Sequence, residues 1–225
     1  MLKIAHRGAK GYEPENTLIA FQKAIDLGCD GIELDVHLSS DSEIIVIHDE
    51  TIDRTTNGKG LVNQMKLLDL KSFFIDNKYE IPILKEVFDL VNHKILINIE
   101  LKSYETTDKV VELIEKYVRE KNWKYENFIV SSFDWNALQQ VRFLNDKIQI
   151  GVLTATDLDL AFAFAKFIKA KSINSFFHLL NQENVDKIQA KGFEIHTWTV
   201  NEIEDINKMK RLKVDAIISD FPDRI

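Results

Sequence analysis

Gly31-Ile32-Glu33-Leu34-Asp35-Val36 decides how this chain is to be read. Side chains two apart on an extended segment emerge on the same face, so Glu33 and Asp35 point the same way. An acid held between Ile32 and Leu34 is hard to place in solvent. Two carboxylates on one face repel each other unless a proton or a cation lies between them.

Outward from this stretch, short β-branched runs alternate with segments of helical period, the pattern of a parallel sheet built from βα units. The spacing predicts strands over Leu2–His6, Gly31–Val36, Ile95–Glu100, Phe128–Ser131, Ile148–Val152, Ala170–Asn174, Phe193–Trp198 and Ala216–Ser219. Amphipathic helices are expected over Thr17–Leu27, Leu84–Val91, Thr107–Lys121, Trp135–Leu144, Leu158–Phe167, Gln182–Ala190 and Glu202–Lys210. Eight strands in this alternation give an α/β fold, a (β/α)8 TIM barrel, read as a single catalytic domain over 1–225. Ile44–His48 is a ninth apolar run, too close to the second strand for a parallel crossover. It reads as a hairpin return with Asp41-Ser42 near its turn and His48 opposite about Asp35. Residues 49–81 are turn-rich and read as an insertion or lid, with Asn57-Gly58-Lys59-Gly60 its clearest loop. Ile225 follows the eighth strand so closely that the last outer helix is expected to be missing.

Composition narrows the function classes. With 225 residues and 45% hydrophobic content the chain can bury a full core. A net charge of −7 argues against a surface that tracks nucleic acid, which needs Lys and Arg to offset many phosphates. Cys29 is the only cysteine, so no intrachain disulfide forms, and a reducing compartment fits. The apolar runs are far shorter than a membrane span of about 20 residues, and with His6 at the sixth position no secretory leader is expected. A cytoplasmic protein without a stable membrane anchor is expected, with self-association left open.

Strand ends carry the chemistry, as they do in barrels of this kind. His6-Arg7 closes the first strand, Glu33 and Asp35 lie toward the end of the second, and Glu100-Leu101-Lys102 ends the third. Glu33, Asp35 and Glu100 form an all-oxygen ligand set that suits Mg2+ or Ca2+ better than Zn2+. His6 and His48 are candidates for a general acid and base pair, since imidazole is present in both protonation states near neutrality. Arg7 offers a planar fork and Lys102 a point charge to phosphate oxygens, although Arg7 also has Glu15 and Glu33 as scaffold partners. Asn16 is expected to cap the first helix, with its amide in reach of the site. Trp198 is a candidate aromatic wall for a small polyol. His37 is placed past the strand end, His93 after a helix and His196 within a strand pattern, and His178 is an outside candidate at the catalytic end.

The ordered set His6-Arg7-Gly8, Pro14-Glu15-Asn16-Thr17, Glu33-Leu34-Asp35-Val36, His48-Asp49, Asp53-Arg54-Thr55-Thr56-Asn57-Gly58, Ile81-Pro82, Glu100-Leu101-Lys102, Trp198-Thr199-Val200-Asn201 and Ser219-Asp220-Phe221-Pro222 resembles the glycerophosphodiester phosphodiesterase family over nearly the whole chain. The resemblance implies hydrolysis of glycerophosphodiesters, such as deacylated phospholipids, to sn-glycerol 3-phosphate and an alcohol. It gives His6 and His48 as the catalytic pair, Glu33, Asp35 and Glu100 as metal ligands, and Arg7 and Lys102 as phosphate contacts. Ile83 and Lys85 depart from the family's usual Thr and Glu, and Ser172–His178 matches its pattern poorly. A rival within the same barrel type acts on lysophospholipid or sphingolipid headgroups, for which Phe176-Phe177 is the one short apolar hint. A non-catalytic module binding glycerophosphodiesters or phosphate would be expected to lack the histidines or acids, and all are present.

Overall fold

The computed structural model describes all 225 residues. Its strands are β1 (Leu2–Ala5), β2 (Gly31–Leu38), β3 (Ile44–Val46), β4 (Phe74–Ile75), β5 (Tyr79–Glu80), β6 (Leu96–Leu101), β7 (Phe128–Ser132), β8 (Gln149–Thr154), β9 (Ser172–Phe176), β10 (Glu194–Trp198) and β11 (Ala216–Ser219). The helices are α1 (Leu18–Asp26), α2 (Leu67–Leu70), α3 (Leu84–Val91), α4 (Thr107–Glu120), α5 (Trp135–Leu144), α6 (Leu158–Phe167), α7 (Gln182–Gln189) and α8 (Ile203–Leu212). Parallel pairing runs β1-β2-β6-β7-β8-β9-β10-β11, and β11 pairs back onto β1, which closes an eight-stranded barrel. It is an α/β TIM barrel with seven outer helices, and after β11 the chain makes only a 3-10 turn over Pro222–Arg224.

Alternation along β2 sets the layers. Ile32, Leu34 and Val36 face outward into the main apolar cluster, where they meet Phe21 and Ala24 of α1 and Val87 and Phe88 of α3. A second, smaller set, Ile4, Ala216 and Ile218, fills the inside of the barrel beside Leu2, Leu96 and Trp198. His6 follows Ile4 at the same parity, so it opens toward the barrel mouth.

β3 returns antiparallel along β2 with Val36 across from Val46, so Ile47, not His48, stands across from Asp35. The expected register was one residue off, because the ladder ends at Val46 and His48 lies on chain already leaving the sheet. β2 also runs to Leu38, which puts His37 inside the strand rather than past its end. Asp41 organises the turn, accepting from the Ser39 hydroxyl at 2.6 Å. Residues 49–81 build a compact piece from α2 and the β4–β5 ribbon around Ile52, Val62, Leu70, Ile75 and Ile81, joined to the hairpin through Ile45 and Ile47. No helix is long and apolar enough to cross a membrane.

Candidate active site

At the carboxyl ends of the strands lies a cavity of about 130 Å³ bordered by His6, Arg7, Glu33, His48, Glu100, Lys102 and Trp198. Seven of the eight residues singled out from the sequence line it. The eighth, Asp35, is buried behind the wall, where its ligand oxygen lies within 4.8 Å of those of Glu33 and Glu100. Register explains the convergence: Asp35 on β2 stands across from Glu100 on β6, and Glu33 two residues earlier shares their face.

Each imidazole has its own carboxylate. His6 Nδ1 lies 2.6 Å from Asp220 Oδ1, and His48 Nδ1 lies 2.6 Å from Asp49 Oδ1. Barrel closure makes the first pair, since Ala5 stands across from Ser219 and the next residues are His6 and Asp220. Asn201 fixes that acid from the other side, donating to Asp220 Oδ2 at 2.9 Å. With Nδ1 engaged on each ring, Nε2 is the nitrogen left for chemistry. Burial lowers the pKa of His6, with the Asp220 hydrogen bond working against that shift.

The acid cluster is short of positive charge. Arg7 reaches Asp35 Oδ2 at 3.2 Å and donates to Glu15 at 2.9 Å, while Lys102 Nζ sits 2.7 Å from Glu100 and 3.6 Å from Asp35. Three carboxylates thus face two cations, one of them shared with Glu15. Burial, then the neighbouring charges of Asp35 and Glu100, raises the Glu33 carboxyl well above its usual range, and burial followed by Asp35 raises Glu100. Asp35 Oδ1 is buried without a hydrogen-bond partner. A compact group of hard oxygens, one of them unpartnered and two with carboxyl pKa values pushed up by burial and by neighbouring carboxylates, fits a divalent cation.

The backbone is bent to deliver these groups. Arg7 and Asn16 both adopt left-handed conformations, at φ 52° and 56°, and such strain is characteristic of sites where it is offset by surrounding contacts. Arg7 in that conformation donates its backbone N–H to Glu33 at 2.9 Å. Gly8 follows at φ 79°, and a Cβ there would sit 2.7 Å from the Ala20 backbone, so no other residue fits. Thr17, not Asn16, caps α1, because its hydroxyl accepts from the Ala20 N–H. Asn16 is thereby free to donate to Asp35 Oδ2 at 2.9 Å.

Several groups escaped the sequence reading as site residues. Asp220 is signalled only by barrel closure, Asp49 only by its place beside His48, and Arg54 by neither. Phe133, just past β7, packs edge-on to Trp198 at 5.5 Å and is half exposed at the mouth. The Phe176-Phe177 pair makes no exposed apolar patch: Phe177 is buried and Phe176 packs on Trp198. His178 lies on their rings, outside the cavity, and His93 sits on Trp123. His196 is enclosed beside Glu194, and His37 Nε2 meets the His48 carbonyl at 3.0 Å.

Residues 6–224 match the model of the glycerophosphoryl diester phosphodiesterase family. The chain is 38% identical to a glycerophosphodiester phosphodiesterase of Caldanaerobacter subterraneus subsp. tengcongensis, covering 100% of this chain and 96% of that one. It is 40% identical to one of Bacillus altitudinis, again over 100% and 96%. An Oleispira antarctica phosphodiesterase, solved in complex with the product sn-glycerol-3-phosphate, superposes with a TM-score of 0.90 at 26% identity, covering 99% of this chain and 94% of that one. The chain therefore belongs to the glycerophosphoryl diester phosphodiesterase family, a family of phosphoric diester hydrolases.

Proposed function

We propose that the protein hydrolyses glycerophosphodiesters, such as deacylated phospholipids, to sn-glycerol 3-phosphate and an alcohol, with a divalent cation, Mg2+ or Ca2+, held by Glu33, Asp35 and Glu100. The observation that carries this reading is the convergence of two carboxylate-oriented imidazoles on a buried acid cluster short of positive charge. The cation would supply Lewis-acid neutralisation of the charge developing on the phosphate oxygens. Arg7 and Lys102, already at the cluster, complement that charge from the protein side. One imidazole takes the proton of the attacking water, or of the substrate's own glycerol 2-hydroxyl, as the oxygen–phosphorus bond forms. The other returns a proton to the alkoxide as the opposite phosphorus–oxygen bond breaks. The internal route yields a cyclic phosphate that a water then opens by the same pair.

Trp198 and the half-exposed Phe133 provide an apolar wall suited to the carbon face of a small polyol. With Phe177 buried, the Phe176-Phe177 pair presents no exposed apolar patch to receive an acyl chain, which favours a deacylated substrate. Residues 49–81 serve this single domain as an insertion, and their packed apolar cluster suits a fixed wall better than a swinging lid.

The test is release of glycerol 3-phosphate from glycerophosphocholine and glycerophosphoethanolamine by metal-stripped protein, with and without added Mg2+ or Ca2+. Release that requires the metal is expected. Folded protein that binds either cation yet releases nothing from either substrate would overturn the assignment.

A further inference from the structure

Arg54, on the segment that follows β3, is joined to both halves of the site without lining the cavity. Its Nε donates to Asp49 Oδ2 at 2.7 Å and one terminal nitrogen to Asp49 Oδ1 at 3.0 Å, the acid that holds His48. The adjoining edge of the same guanidinium takes Glu15: the terminal nitrogen that reaches Asp49 also lies 2.7 Å from Glu15 Oε1, and the other lies 3.1 Å from Oε2. Glu15 Oε1 in turn accepts from Arg7 at 2.9 Å. No hydrogen bond or ion pair joins Glu15 to Asp49 directly, so the chain of contacts from Arg7 to His48 passes through Arg54.

We infer that Arg54 is a positioning residue, a two-sided clamp through which the phosphate-contacting Arg7 and the imidazole of His48 are set as one unit. The inference rests on the reaction proposed above. A planar guanidinium presents its donors in a fixed fork and can grip two carboxylates at once, which the point charge of lysine cannot. The demand is real, because His48 stands on chain that has left the β ladder. Its carboxylate partner Asp49 has no other side-chain donor than His48 and Arg54, unlike Asp220, which Asn201 holds from the barrel. Glu15 responds accordingly: burial alone would raise its pKa, yet the Arg54 hydrogen bonds and the charges of Arg7 and Arg54 hold it at about 2. Anionic substrate drawing on Arg7 is thus felt at His48 through two carboxylates and one guanidinium.

The test is a mutational box. Glu15→Gln, Asp49→Asn and the pair together are each made in the wild-type and Arg54→Gln backgrounds, and kcat and KM are measured on glycerophosphocholine with saturating divalent metal. Arg54→Gln should lower kcat/KM by roughly ten- to a hundredfold, the range for partners that orient a site residue, and Arg54→Lys should recover only a minor part. Asp49→Asn should act mainly on kcat and Glu15→Gln mainly on KM. In the wild-type background the two should be non-additive by at least about threefold; with Arg54→Gln they should simply multiply. Arg54 is about half exposed, so the variant should fold, and hydrogen exchange should report faster opening of amides 48–54 alone. Multiplicative effects in the presence of Arg54, or unchanged kcat and exchange in Arg54→Gln, would overturn the clamp. Should the wild-type chain hydrolyse no glycerophosphodiester, the proposed reaction falls, and exchange at 48–54 decides the clamp by itself.

Discussion

His6 with Asp220 and His48 with Asp49 are matched pairs at 2.6 Å, but they stand on unlike supports. The first pair is built into the barrel: β1 carries the imidazole, β11 leads to the acid, and Asn201 locks the acid in place. The second stands on chain beyond the hairpin and is steadied by the exposed guanidinium of Arg54. The His6 ring is 15% exposed against 32% for His48. Barrel closure thus delivers one imidazole, while the other needs an ion network assembled from residues far apart in the chain. A site of this kind can tune one arm by surface substitutions without touching its rigid half.

The largest expected effect falls on both arms alike. His6→Ala and His48→Ala should each lower turnover by roughly 10²–10⁴, the range for a positioned proton-transfer group, with metal binding retained in calorimetric titration. Replacing the orienting acids should separate the arms. Asp220→Asn and Asp49→Asn should each cost about ten- to a hundredfold, but only the Asp49 variant should leave amide exchange in β1 and β11 at the wild-type level.

Metal should act on what lies between the arms. A divalent cation at a hundred times its Kd stabilises the native state by about 2.7 kcal/mol. Thermal melts should therefore shift upward with Mg2+ or Ca2+ in the wild type and far less in Glu33→Gln. An equal shift in both would remove Glu33 from the ligand set.

Acid should dismantle the two arms in different windows. The His6 pKa is lowered in the folded state by burial, so the stability linked to its neutral form is present above about 6.5 and is lost as pH falls below that value. Glu15 is depressed from 4.5 to about 2, so its contribution is present above 4.5 and is lost between 4.5 and about 2. Urea melts across pH should lose the upper slope in His6→Asn and the lower slope in Glu15→Gln. The smallest effect lies away from both arms, at the start of α3. Ile83 occupies the N-cap position with no side-chain acceptor. Ile83→Thr should gain about 0.5–1 kcal/mol in denaturant melts, against which its lost packing on the 49–81 cluster must be set.

Legibility in the sequence followed the same division. Period-2 runs ending in His6, Asp35 and Glu100 could be read directly, because parallel strands in register bring their ends to one rim. All eight barrel strands and seven outer helices follow from that alternation, with ends shifting by one or two residues. Asp220 was out of reach because its proximity to His6 depends on closure over 214 residues of sequence separation. Arg54 was out of reach because nothing periodic places a side chain on a turn-rich segment. Asn16 failed as a cap since its left-handed backbone turns its amide toward Asp35 and leaves the capping to Thr17.

The division of labour between the two imidazoles is tested most directly by leaving-group dependence. Turnover by His6→Ala and His48→Ala would be measured with saturating metal on glycerophosphocholine and on a glycerol phosphodiester that releases p-nitrophenolate, which needs no proton to depart. One variant should recover most of its rate on the aryl ester and the other should stay depressed, identifying general acid and general base respectively. Equal losses on both substrates for both variants, or no loss for either, would contradict proton transfer by this pair.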